Sequence, residues 1–240
     1  MSSEVLHLVD TARPHPLVRL SGVLDATTAT TVRNVLLDVL AGQPSAVVVD
    51  VGGLTVDDPD SAEVLGEVFR ATADWPAARL TLCDPAGATL WRTSGWRIET
   101  DCDHALAMHE PGDDDRVSLE LEPQVSAARR SREVITEACR RWHREDLAGA
   151  ACIVATELVN NVVAHARTPM IVLVATTSEG LSVAVRDHSE VPPSYTGAPV
   201  APTSYGGRGM LLVDSVSSRW GSLPLANGKV VWALLSDPRG

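Results

Sequence analysis

The chain has 240 residues, 45% of them hydrophobic and 21% charged, which gives enough apolar material for two ordinary domain cores and excludes disorder over most of the length. The formal net charge of −11 argues against a sequence-independent nucleic-acid binder, which needs a basic surface to displace counterions from phosphates. Another protein or a small ligand is the expected partner, with no nucleic acid and no membrane. Cys83, Cys102, Cys139 and Cys152 form no CxxC pair, so neither a zinc site nor a disulfide framework is expected, and a reducing cytoplasm fits best. The N-terminus MSSEVLHLVD lacks a basic segment followed by an apolar one, and no run approaches the ~18 apolar residues of a membrane helix. A soluble, unexported protein is expected.

In chain order, residues 17–20 alternate into Ser21-Gly22 and read as a strand ending in a turn. Asp25, Thr27 and Thr28 offer capping side chains to a helix carrying Val32, Val35, Leu36, Val39 and Leu40 on one face, with Gly42 as its stop. Residues 46–51 form a β-branched run suited to a strand buried on both faces. An acidic loop at 57–61 then leads into a helix through Val64, Leu65, Val68 and Phe69. A strand is expected at 79–83 and a helix at 86–93. Strands alternating with helices predict an α/β unit over residues 1–112, closed by an acidic linker at 113–122.

The second unit, residues 123–240, opens with an arginine-rich helix over 125–142 and a longer one over 145–166, where Leu147, Ala151, Val154, Leu158 and Val162 recur at helical spacing. Strands at 170–176 and 181–186 are expected to pair as a hairpin. A Pro/Gly/Ser-rich loop, a helix over 209–216 and strands around 219–220 and 229–235 complete the chain.

Four segments carry candidate chemistry. On the second long helix Glu157 and Asn161 lie four residues apart and share a face. The Asn oxygen suits Mg²⁺, and the Glu can orient or deprotonate a hydroxyl. Asp187 ends the apolar strand Val183-Ala184-Val185-Arg186, where a carboxylate can accept from an adenine amino group. Gly207-Arg208-Gly209 precedes a helix, so backbone N–H groups and the helix dipole can meet phosphate there. The turn Asn227-Gly228 enters a closing strand through Lys229-Val230-Val231-Trp232.

In this order and spacing the four segments resemble the N, G1, G2 and G3 boxes of the GHKL ATPase superfamily, and most closely its anti-sigma-factor serine kinase branch. The resemblance spans about 110 residues and implies helices on a mixed sheet, with ATP and Mg²⁺ bound between. It implies Glu157 as catalytic base, Asn161 as Mg²⁺ ligand, Asp187 as the adenine-binding acid, and Gly207 and Gly209 as the phosphate loop, with Arg208 able to pair with a phosphate. One departure stands out. Where many relatives read DxGxG, this chain reads Asp187-His188-Ser189-Glu190-Val191 and lacks both glycines.

The first half resembles a STAS domain, the fold of anti-sigma-factor antagonists, through Leu20-Ser21-Gly22-Val23-Leu24-Asp25 and the phrase from Val49 to Asp58. Such antagonists carry a phosphorylatable serine in the next loop, where this chain has Pro59 between Asp58 and Asp60. The resemblances together imply an α/β (α+β) chain: a regulator of a partner-switching system that meets a STAS-domain antagonist or a sigma factor, with a homodimer possible. A serine/threonine kinase is one expectation. A binding module switched by nucleotide occupancy is the alternative, and a sensor histidine kinase is a third.

Overall fold

A computed structural model describes residues 4–13, 15–75, 78–87, 89–108, 115–193 and 208–236. The chain divides into two compact units, Met1–Asp113 and Asp114–Gly240.

In the first unit a five-stranded sheet runs in the order β1-β2-β3-β4-β5. Its strands are β1 (Val5–Asp10), β2 (Leu17–Leu24), β3 (Ala46–Val56), β4 (Arg79–Cys83) and β5 (Arg97–Glu99). β1 pairs antiparallel with β2, and the other pairs are parallel. The connecting helices are α1 (Ala29–Ala41), α2 (Val64–Ala71) and α3 (Cys102–Ala107). The expected side-chain cap of α1 does not form at Thr28, the residue before Ala29; Asp25 Oδ1 instead closes the preceding turn, accepting from the backbone N–H of Thr27 at 2.8 Å and of Thr28 at 3.0 Å. Residues 46–49 of β3 are 0–1% exposed, as a strand covered on both faces requires. Leu17, Val48 and Cys83 pack with Ala105 of α3 on one face.

Two further expectations fail in this unit. The helix over 86–93 shrinks to a 3-10 turn at Thr89–Thr93 after a tight turn through Gly87, so one apolar face was not enough to sustain an α-helix. A disulfide joins Cys83 and Cys102, where no disulfide framework was expected. The parallel sheet ends β4 beside the start of α3, which brings the two Cα atoms to 5.4 Å across 19 residues of sequence. Nothing in the spacing of the cysteines announces that approach.

The acidic loop closes on itself. Pro59 opens a 3-10 turn, Pro59–Glu63, and Asp58 caps it by accepting from the Asp60 N–H at 3.2 Å and the Ser61 hydroxyl at 2.9 Å. Ser61 is thereby buried and its hydroxyl engaged.

The second unit is a two-layer sandwich. Its sheet runs β6-β7-β8-β10-β9, from β6 (Arg116–Leu121), β7 (Met170–Thr177), β8 (Gly180–Asp187), β9 (Arg219–Leu225) and β10 (Gly228–Ser236). Every pair is antiparallel, where a mixed sheet was expected. Residues 116–121, expected as linker, form the edge strand β6; their polar alternation fits a strand with one face on the core and hid it from a reading by composition. Helices α4 (Ala127–Arg141), α5 (Glu145–Asn161) and α6 (Arg208–Val216) cover one face, and Ile135, Val154, Leu158, Val172, Val183, Met210 and Val231 meet in the core between the layers.

The stretch Glu145–Ala166 is long and apolar enough to cross a membrane by length and composition, contrary to expectation. Packing accounts for its apolarity: Leu147, Ala151, Val154, Ala155, Leu158 and Val159 are all buried against α4, α6 and the sheet.

Candidate functional site

α5 does not stop cleanly at Asn161. It widens into a single π turn, Val162–Ala166, closed by Arg167 in the left-handed conformation (φ 55°), whose N–H donates to Val162 O at 2.7 Å. The turn sets Val162, His165 and Ala166 beside Leu158 and Asn161 on the wall of one cavity. β8 and β10 supply Val185, Asp187, Lys229 and Val231, the segment after β8 supplies Ser189, Val191, Pro192 and Pro193, and α6 supplies Gly209 and Met210. The volume is about 250 Å³. That lies just below the roughly 300–1,000 Å³ of small-molecule pockets and suits a base or nucleoside better than a whole triphosphate.

The antiparallel register pairs Asp187 with Met170 on one side and with Lys229 on the other. Cross-strand partners share a face, so the carboxylate and the ammonium meet: Lys229 Nζ donates to Asp187 Oδ1 at 2.9 Å. The ammonium also donates to Ser189 O at 3.0 Å, and the Ser189 N–H donates to the same Asp187 oxygen at 2.7 Å. Asp187 is 2% exposed and Lys229 8%. A buried ion pair is tolerated when further hydrogen bonds compensate the lost hydration, and Ser189 supplies two of them. The chain reaches Lys229 through Gly228 at φ +108°, where a Cβ would collide with Asp187 O, so only glycine lets β10 start so close to the end of β8.

α6 approaches α5 closely. A Cβ at Gly209 would lie 2.6 Å from Glu157 Oε2, and Asn161 Nδ2 contacts Met210 Sδ at 3.6 Å. Glu157 is half-buried one helical turn from Asn161 but is not among the residues that line the cavity.

The structure therefore gathers Asn161, Asp187 and Gly209 around one cavity and sets Glu157 against Gly209 at its edge. Arg208 begins α6 with its side chain outside the described residues, and Gly207 lies wholly outside them. Lys229, Ser189 and His165 line the cavity without having been singled out as site residues. A lone lysine followed by Val230 and Val231 in a closing strand was a signal for the first, since Lys is almost never buried unless paired. The donor set fits a nucleotide with its metal: an amide oxygen on Asn161, a carboxylate in an apolar cavity at Asp187, and bare backbone at Gly209 in the first turn of α6.

Comparison with known proteins agrees with that chemistry for the second unit. No curated protein matches the chain. A solved structure titled "Crystal Structure of an Anti-sigma Factor Antagonist from Mycobacterium paratuberculosis" matches over 44% of this chain and 93% of its own, at 19% identity and a TM-score of 0.37. Residues 117–233 match the family model described as "Histidine kinase-like ATPase domain", and that segment holds every described residue of the cavity.

Proposed function

We propose that the chain is an ATP-binding regulator of a partner-switching system, acting as a serine/threonine kinase and anti-sigma factor toward a separate STAS-domain antagonist. The observation that carries the reading is the convergence of Asn161, Asp187 and Gly209 on one apolar cavity within the segment matched as a histidine kinase-like ATPase domain. In this reading Asp187 takes the adenine amino group, Asn161 offers its amide oxygen to Mg²⁺, and the backbone at Gly207, Arg208 and Gly209 takes phosphate. Mg·ATP supplies the transferable phosphoryl group, with the metal neutralising charge on the phosphates. Glu157 would accept the proton of the attacking serine hydroxyl. Such a protein works in the cytoplasm, where ATP and sigma factors are found, and its partners are an antagonist, a sigma factor or a second copy of itself.

A second reading, nucleotide-gated binding with little transfer, is favoured by Glu157 lying outside the cavity lining. Incubation of the protein with labelled ATP and a STAS-domain protein separates the two. Label on a serine of the partner supports the kinase; nucleotide binding without label supports the gated module.

The first unit carries no ordinary phospho-acceptor in this reading. Pro59 has no hydroxyl, and the Ser61 hydroxyl is buried and bonded to Asp58. Residues 1–112, 113–122 and 123–240 are accordingly proposed as a STAS-like unit, its acidic connection and the ATPase unit.

A further inference from the structure

We propose that Lys229 reads the base directly, donating to ring nitrogen N1 of an adenine whose 6-amino group is held by Asp187 Oδ2. The inference rests on the reading that the cavity holds the base of ATP. An ammonium has three N–H donors. In Lys229 one goes to Asp187 Oδ1 and one to Ser189 O, which leaves one without an acceptor among the described residues. Asp187 is complementary. Its Oδ1 accepts from Lys229 and from the Ser189 N–H, while Oδ2 has no donor among the described residues. Both side chains line the cavity, and their neighbours there, Val185, Val191, Pro192, Met210 and Val231, are apolar.

Among the described residues, one unused donor therefore sits beside one unused acceptor in a greasy slot. The six-membered edge of adenine presents the matching pair, an amino donor beside a ring-nitrogen acceptor. Guanine presents a carbonyl acceptor beside two donors, N1–H and the 2-amino group. Because Asp187 Oδ1 is already shared by two protein donors, a single carboxylate oxygen remains, and the guanine 2-amino group would be buried without a partner. Ser189 fixes the Asp187–Lys229 pair in place through its backbone alone, the N–H donating to Asp187 and the carbonyl accepting from Lys229.

The test is calorimetry on the full chain with Mg²⁺ and ATP, GTP or 1-deaza-ATP, in which N1 is replaced by C–H. The wild-type protein is expected to bind 1-deaza-ATP about tenfold or more weakly than ATP, the range of one hydrogen bond to a charged group. GTP is expected to be weaker than ATP. In Lys229→Met the preference for ATP over 1-deaza-ATP should fall to near unity. Equal binding of the two analogues by the wild-type protein overturns the role of Lys229 and leaves ATP binding standing. Failure to bind ATP at all overturns both. The wild-type comparison decides the matter even if Lys229→Met does not fold.

Discussion

Glu157 and Gly209 are in contact across α5 and α6, so closely that a Cβ at position 209 would lie 2.6 Å from the Glu157 carboxylate oxygen. The glycine is there to admit the carboxylate. Alanine is a better helix residue than glycine by about 1 kcal/mol, and the flexible end of Glu157 can swing away. Gly209→Ala is therefore expected to leave the melting temperature unchanged or raise it slightly, while displacing Glu157 and lowering phosphotransfer about tenfold or more. Thermal unfolding beside a transfer assay checks both, and unaltered transfer would detach Glu157 from the chemistry.

Glu157 and Asn161 should separate chemistry from binding. Glu157→Gln is expected to keep Mg·ATP affinity within a few-fold and to lose transfer about a hundredfold or more, the usual contribution of a general base. Asn161→Ala should instead reduce the dependence of nucleotide affinity on Mg²⁺. Calorimetry with and without the metal measures the second effect, and an undiminished Mg²⁺ dependence would remove Asn161 from that role.

The Cys83–Cys102 disulfide closes a loop across 19 residues, a length at which cross-linking contributes about 3 kcal/mol. Reduction is expected to lower the stability of the first unit by that order. The Cys83→Ser/Cys102→Ser double variant should show the same lowered denaturant midpoint and no further response to reductant. An identical midpoint for oxidised and reduced wild-type protein would contradict the link.

Burial pushes the Cys139 thiol up to about 11 from its ordinary 9.0, with Cys152 adding in the same direction. The unfolded thiol loses its proton first as pH rises, so the unfolded state binds fewer protons over this range and stability falls between about pH 9 and pH 11. The contribution is at most about 3 kcal/mol. Comparing urea midpoints at pH 8 and pH 10.5, the drop should be smaller in Cys139→Ala than in the wild-type protein.

In the acidic loop, ATP and a STAS-directed kinase are expected to leave Ser61 unmodified, because its hydroxyl is buried and donates to Asp58. Pro59→Ser places a hydroxyl at the first position of the same turn, and mass spectrometry is expected to find phosphate there. Phosphate on Ser61 of the wild-type chain would contradict the placement of that hydroxyl.

What could be read in advance follows the length of each pattern. α4, α5 and the β7–β8 hairpin announced themselves because many residues repeat one period, and Asn161, Asp187 and Gly209 stood out as polar or bare positions at the ends of those elements. β1, β5 and β6 are short or edge strands with mixed polarity, so their pairing partners define them more than their own residues do. The Cys83–Cys102 bond and the Asp187–Lys229 pair are long-range meetings created by sheet order and register. Local spacing does not encode either. Lys229 was visible as a lysine in an apolar strand, but its partner became known only once β8 and β10 were aligned.

The most direct test of the account is titration of the full chain with ATP in the presence of Mg²⁺, repeated with Asp187→Ala. The account predicts saturable one-to-one binding to the wild-type protein and loss of that binding in the variant, with the fold intact by circular dichroism. Absence of binding to the wild-type protein, or equal binding by the variant, would contradict it.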